Sequence, residues 1–230
     1  MTTTRSIIKP LFGHEGQVSE AMEAVSYDMR YQYYFGGSNR PDIDFSREGY
    51  DWARRFAVFE RKECDDMYKE RIEERLIGYI GYGYNPETRR CIWFGAISFD
   101  LGNPLFGHAI ISVIKDIFEK YNFDAMEFMC YADNPVCETY RRLVERFGGR
   151  EAGYYRRREM LLDGKLHDEV HFEILAGEYF NAANKRKRGR LSHEIQTRKS
   201  ISDNQYVRCD LKLGGLCDFR VPITPEICEM

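Results

Sequence analysis

No stretch of this sequence approaches the roughly 20 consecutive apolar residues that a membrane-spanning helix needs, and Met1 to Gly16 holds no long apolar segment before charge returns. Neither a membrane span nor a secretory leader is expected, and the cytoplasm is the expected location. Paired cysteines are lacking too: seven, at 64, 91, 130, 137, 209, 217 and 228, are odd in number and scattered. That excludes the disulfide framework of a small secreted domain and fits a reducing compartment. Cys209, Cys217 and Cys228 lack the short paired spacing of a zinc site, and no metal is expected. Nor does charge of one sign dominate, because 34 Lys and Arg face 37 Asp and Glu. With a pI near 6.0, general nucleic-acid binding has no electrostatic basis.

What is present is a chain of 230 residues, 43% apolar and 14% aromatic, which excludes disorder and suits one sizeable core with an extension. Charge divides it further. Residues 181 to 230 hold 10 Lys or Arg against 6 Asp or Glu, a surplus of four, and residues 1 to 180 carry a deficit of seven. We therefore expect a domain at 1–180 and a basic C-terminal extension at 181–230. The cluster Lys185 to Arg190 (KRKRGR) reads as a solvated face or, alternatively, as the one place able to contact RNA or an acidic partner.

Periodicity orders the elements of residues 1 to 180. Ser6 to Lys9 reads as a strand, Val18 to Met29 as a helix, and a second helix starts at Ser46 and runs through Trp52. Phe56 to Arg61 alternates like a strand, and the very charged Lys62 to Glu74 reads as a solvated insertion. Leu76 to Tyr84 and Cys91 to Phe99 form a hairpin around Asn85, Pro86 and Glu87. Phe106 to Tyr121 keeps helical spacing without a gap, Ala125 to Tyr131 is a strand, and Val136 to Phe147 is a helix closed by Gly148. That succession implies a right-handed crossover with parallel pairing, and a last hairpin spans Gly153 to Leu175. The repeat of PLFGH at Pro10 and Pro104 has no longer period behind it.

Both strong helices begin with Asn-Pro, at Asn103 and Asn134, an N-cap side chain followed by a residue suited to the first helical position. The turn Leu101 to Ala109 (LGNPLFGHA) presents amides and a positive dipole end, as a pyrophosphate requires. Four stretches then carry a resemblance: LIGYIGYG at 76–83, GHAIISVIKDIFEKY at 107–121, YADNPVCETYRRLVERFGG at 131–149 and LLDGKLHDEVHFEILAGEYF at 161–180. In order and spacing they resemble the GNAT superfamily of acetyl-CoA-dependent N-acetyltransferases, in particular its ribosomal-protein N-terminal acetyltransferase-like branch. The most specific mark is Ala132-Asp133-Asn134-Pro135 with Tyr140 six residues after Asn134.

The resemblance implies an α/β GNAT fold, a mixed central sheet with splayed fourth and fifth strands flanked by helices. It implies acetyl-CoA as co-substrate, held by Phe99, Phe106, Gly107, His108, Ala109, Asn134 and Tyr140, with the amide near Phe99 polarising the thioester. Tyr140 would protonate the leaving thiolate, although its spacing with Val136 and Val144 also fits a core aromatic. Leu105 and Pro104 stand where the family has a glycine and a basic residue, and Trp93 stands where many relatives have a glutamate. Glu127, His108 and Asp100 are the neighbouring candidates for a base. Tyr31 and Tyr34 would wall the amine pocket, and His167 and His171, four apart in a strand, bind no metal. The expected acceptor is a protein N-terminus or a small-molecule amine, and the expected assembly a monomer or homodimer. The rival reading is a non-catalytic module of the same fold acting through its extension.

Overall fold

The computed structural model describes residues 2–35, 52–66, 69–188, 206–207 and 221–222. The expected helix from Ser46, Cys209, Cys217, Cys228 and the last two residues of the basic cluster lie outside them. The chain divides into two compact units, Met1–Asn181 and Ala182–Met230.

The first unit is built on β1 (Thr2–Pro10), β2 (Ala53–Asp66), β3 (Lys69–Asn85), β4 (Arg90–Ser98), β5 (Ala125–Tyr131), β6 (Arg150–Met160) and β7 (Leu166–Leu175), ordered β1-β2-β3-β4-β5-β7-β6 in one sheet. Only β4 and β5 are parallel. Helix α1 (Glu15–Val25), a turn at Met29–Tyr31 and the short α2 (Gln32–Phe35) pack on one face, where Val18, Met22 and Tyr31 meet Ala57, Phe59, Tyr79 and Ile97. Helices α3 (Pro104–Lys115) and α4 (Cys137–Phe147) cover the other face over Val58, Ile80, Phe94, Phe128 and Phe172. The sequence alternation is thus resolved into two cores, one on each side of a shared sheet.

Local chemistry explains the junctions. Asn103 Oδ1 accepts the Leu105 N–H at 3.0 Å and Pro104 opens α3, as the Asn-Pro pair predicts. At the second Asn-Pro pair, Asn134 Oδ1 accepts from Val136 N at 3.1 Å and its carbonyl from Cys137 N at 2.9 Å. Pro135 therefore sits in a tight turn, and α4 begins two residues later than the pair suggests. Gly148 adopts φ 81° and closes α4. After Lys115 the helix widens into a π turn over Asp116–Lys120, which keeps the adjacent Ile117 and Phe118 both buried. Phe118 stacks on Tyr179 at 4.6 Å, and residues 176–188 are helical.

The charged segment Lys62 to Glu74 is not an insertion. It extends β2 to Asp66 and starts β3 at Lys69, with Arg61 directly opposite Glu74 in the ladder. Their ion pair closes at 2.6 Å, and Lys9 on β1 reaches the same carboxylate at 2.6 Å. The run is solvated as expected, with residues 71–75 exposed, but it is strand, and Arg61 and Glu74 pair across its ladder. In the second unit, Lys185 to Arg188 are helical and exposed, and β8 (Tyr206–Val207) pairs with β9 (Val221–Pro222).

Two glycines separate tight from open packing. A Cβ at Gly149 would lie 2.3 Å from the Glu173 carbonyl, whereas one at Gly107, in the first turns of α3, would meet nothing within 4 Å. Gly149→Ala should destabilise the protein by about 1–3 kcal/mol, and Gly107→Ala should raise stability by about 0.5–1 kcal/mol. Urea denaturation of the two variants checks both signs.

Candidate active site

The decisive feature lies between β4 and β5. Their pairing runs Arg90↔Ala125, Cys91↔Met126 and Phe94↔Phe128 and goes no further, although β4 continues to Ser98 and β5 to Tyr131. The strands part beyond Phe94 and Phe128. A bulge prepares the parting: Trp93 and Phe94 together oppose Tyr82 of β3, and Trp93 takes φ 53°.

Backbone alternation shows what the parting exposes. Phe99 N donates to Ile77 O at 2.8 Å, so Phe99, and by register Ile97 and Gly95, turn their N–H groups toward β3. Ala96 and Ser98 must then turn theirs toward the gap. The amide expected at Phe99 is already bonded within the sheet, and Ala96 offers the nearest gap-facing one.

Tyr140 stands at the fork. From α4 its ring packs edge-on against Phe128 at 5.4 Å, beside the last β4–β5 pair, and against Phe172 at 6.4 Å. Burial, with a smaller contribution from the nearby Cys130, pushes its phenol up to about 12. It therefore stays protonated through the physiological range. Burial raises Tyr34 as well, and the neighbouring Tyr79 and Tyr140 add to that rise, which places these three hydroxyl-bearing rings in one electrostatic neighbourhood.

The other predicted residues distribute unevenly. Phe106 and Ala109 face the core, and Phe106 lies on the sheet where a Cβ at Gly78 would be 2.2 Å from its ring. Gly107 and His108 are exposed on the first turns of α3. Asn103 consumes two donors of this helix start, taking the Leu105 N–H on its side chain and the Phe106 N–H on its carbonyl. Among the described residues nothing bonds the N–H groups of Leu101 and Gly102, and Gly102 has φ 89°. Anion-binding capacity at this turn thus rests on the two loop amides and the helix dipole. Asn134 holds the turn that leads into α4, and among the described residues its Nδ2 has no hydrogen-bond partner.

The candidate bases are mostly engaged. Asp100 pairs with Arg75 at 2.7 Å and accepts from Asn103, and these partners hold its carboxyl below the usual range. Glu127 accepts from Arg90 Nε at 2.7 Å. His108 is on the α3 surface, away from the sheet interior.

A cavity of about 370 Å³ opens beside the bulge, lined by Tyr34, Trp52, Arg55, Tyr79, Tyr84 and Trp93 above a floor of Gly81, Gly83 and Gly95. Of these lining residues sequence reasoning proposes only Tyr34, and it misses both tryptophans of the chain, Trp52 and Trp93, along with Arg55, Tyr79 and Tyr84. Tyr31 is not among the lining residues. It is buried against the α1 face, with its hydroxyl 3.5 Å from the Phe99 carbonyl. Among the described residues, no group of three or more His, Cys, Asp and Glu is placed to hold a metal, and no helix is long and apolar enough to cross a membrane.

Known proteins match this architecture. A spermidine N-acetyltransferase from Vibrio cholerae, solved with CoA and spermine, superposes with a TM-score of 0.56 at 17% identity, covering 76% of this chain and 98% of that one. A GCN5-related N-acetyltransferase from Brucella melitensis superposes with a TM-score of 0.53 at 19% identity, covering 77% and 79%. The chain has the GNAT fold. No family model matches the sequence, and no curated protein does. The likeness is one of backbone, at 17–19% identity.

Within this GNAT fold, His167 ties the surroundings of the gap together. The ring is 6% exposed, its Nδ1 is 2.7 Å from Asp133 Oδ2 and its Nε2 2.9 Å from Asp163 Oδ1. Tyr33 of α2 also reaches Asp133, and Asp163 N donates to Gln32 Oε1. Two carboxylate partners require both ring nitrogens to donate, which is the cationic form. Burial pulls the imidazole down, but the bonds to Asp163 and Asp133 outweigh it and leave the pKa raised. The bond from His167, followed by that from Lys165 N, lowers Asp163. Stability from the raised histidine is fully present below its unfolded value of about 6.5 and is lost as pH rises through the folded value. The lowered Asp163 acts oppositely, contributing above about 3.9 and failing as pH falls. The urea stability lost in His167→Gln should therefore be larger at pH 6 than at pH 9, and equal losses would contradict the cationic clamp.

Proposed function

We propose that this protein is a GNAT N-acetyltransferase that moves acetyl from acetyl-CoA to a primary amine by direct attack in a ternary complex. The observation that carries the reading is the parting of β4 and β5 beyond Phe94 and Phe128 with Tyr140 packed at the fork. The Vibrio cholerae protein of the same fold was solved with CoA and an amine, which supports the choice of co-substrates. The Asp133-Asn134-Pro135 turn with Tyr140 supports placement in the ribosomal-protein N-terminal acetyltransferase-like branch.

In this mechanism the thioester arm lies in the gap against the edge of β4. The amine nitrogen attacks the thioester carbonyl carbon, and the oxyanion that forms accepts from a gap-facing amide, for which Ala96 N–H is best directed. Collapse breaks the carbon–sulfur bond. The departing thiolate takes the Tyr140 proton, a transfer suited to a phenol that stays protonated at neutral pH. The amine's proton leaves to solvent. Leu101, Gly102, Gly107, His108 and Asn134 Nδ2 are the groups available to the phosphate and pantetheine portions. We assign acetyl transfer to unit 1–180, and the basic extension a separate role.

The non-catalytic reading draws on one observation, the capture of the Leu105 and Phe106 amides by Asn103. Calorimetric titration with acetyl-CoA separates the two. Saturable binding supports the enzyme, and no heat at millimolar acetyl-CoA would dispose of it. Tyr140→Phe should lower kcat about a hundredfold with acetyl-CoA affinity little changed, as thiol release would record. Unchanged turnover would remove Tyr140 from the mechanism.

A further inference from the structure

The cavity beside the bulge states what the acceptor should look like, an inference that rests on the acetyl-transfer reading. Aromatic rings make its walls: Tyr34, Trp52, Tyr79, Tyr84 and Trp93. Its floor is glycine, and each floor position is roofed by one of those rings. A Cβ at Gly81 would lie 2.4 Å from the Tyr79 hydroxyl, one at Gly83 3.1 Å from the Trp93 indole, and one at Gly95 3.7 Å from the Tyr34 ring. The glycines provide depth on an otherwise crowded sheet face, and side chains there would close the cavity.

Trp93 is the unusual element. A bulky residue at φ 53° is strained, and an indole left 80% exposed forgoes the burial that such a side chain ordinarily gains. Strain combined with exposure at the rim of a cavity is what a surface kept for a ligand looks like. Trp52, also half-exposed, lies 6.3 Å from Tyr84 by ring centroids on the same cavity wall.

Charge narrows the class. Among the described lining residues Arg55 is the one ionic side chain, and none is a carboxylate or an imidazole. An aromatic enclosure with a guanidinium does not compensate several buried ammonium groups at once. It does suit a flat apolar body, and ring faces attract a single ammonium before it is deprotonated. A volume of about 370 Å³ is at the small end of ligand pockets, which run to about 1,000 Å³.

We propose that the acceptor is an arylalkylamine, its ring held between the walls formed by Trp52, Tyr84 and Trp93 and its primary amine directed past Gly95 and Tyr34 toward the parted strands. The amine nitrogen becomes the amide nitrogen of an N-acetyl product, its lost proton passes to solvent, and CoA leaves as the thiol.

The experiment is steady-state thiol release with acetyl-CoA and either tryptamine or spermidine, on the full chain and on Trp93→Ala and Trp52→Ala. We expect kcat/KM for tryptamine to exceed that for spermidine at least tenfold. Both variants should raise the tryptamine KM about tenfold while acetyl-CoA binding by calorimetry stays unchanged, which also shows that they fold. Spermidine turned over as well as tryptamine, or a tryptamine KM indifferent to both substitutions, would overturn the assignment. Acetyl-CoA binding without turnover of tryptamine would overturn it while leaving the acetyltransferase reading standing. Absence of acetyl-CoA binding would overturn both.

Discussion

The structure depends on the failure of two neighbouring strands to stay paired. Strands β4 and β5 share three register pairs and then diverge, so that the middle of a seven-stranded sheet carries unpaired backbone where a continuous ladder would be expected. Buried N–H and C=O groups without partners are costly. Ala96 and Ser98 are only partly buried, so water can satisfy these groups in the open gap, and an extended ligand arm could take its place. The bulge at Trp93 and Phe94 gives the divergence a local cause, because an extra residue opposite Tyr82 bends β4 away from β5.

Much of the remaining architecture keeps that opening in place. Phe106 rests on Gly78 and fixes the start of α3 over β3, and Asn103 joins that start to Glu60, Asp100 and, through them, Arg75. On the other side His167 holds Asp133 and Asp163, with Tyr33 and Gln32 attached to the same two aspartates. Hydrogen bonds therefore join the α2 segment, the turn that enters α4 and the β6–β7 turn. Tyr140, just inside α4, inherits its position at the fork from this bracing. The same bulge that begins the parting of β4 and β5 also sets Trp93 at the cavity, so that gap and cavity share a cause.

Most of the fold was legible in the sequence because its signals are periodic and local. The spacing of Phe106 to Tyr121, the apolar run Ala125 to Tyr131, and Gly148 as a stop all correspond to what the structure contains. The charged Lys62 to Glu74 misled because composition does not reveal cross-strand partners: Glu74 is exposed, as its charge suggests, yet it lies in β3 opposite Arg61 and also pairs with Lys9. The site was less legible. Tyr140, Asn134 and the α3 turn follow from motifs, but which β4 amides face the gap depends on register, and register assigns Phe99 to β3. Trp93 carried no periodic signal, since a bulge breaks the alternation by which strand residues are read. The glycines at 78, 81, 83 and 95 carry no role that the sequence states, and only packing shows that the first serves α3 and the others the cavity.

The central claim is that the gap between β4 and β5 receives the thioester arm of acetyl-CoA, and amide hydrogen exchange at single residues tests it directly. Without ligand, the Ala96 and Ser98 amides should exchange much faster than those of Ile97 and Phe99, which are bonded toward β3. Saturation with CoA should slow Ala96 and Ser98 selectively and leave Ile97 and Phe99 unchanged. Slow exchange at Ala96 and Ser98 in the free protein, or no protection of either on CoA binding, would contradict the account.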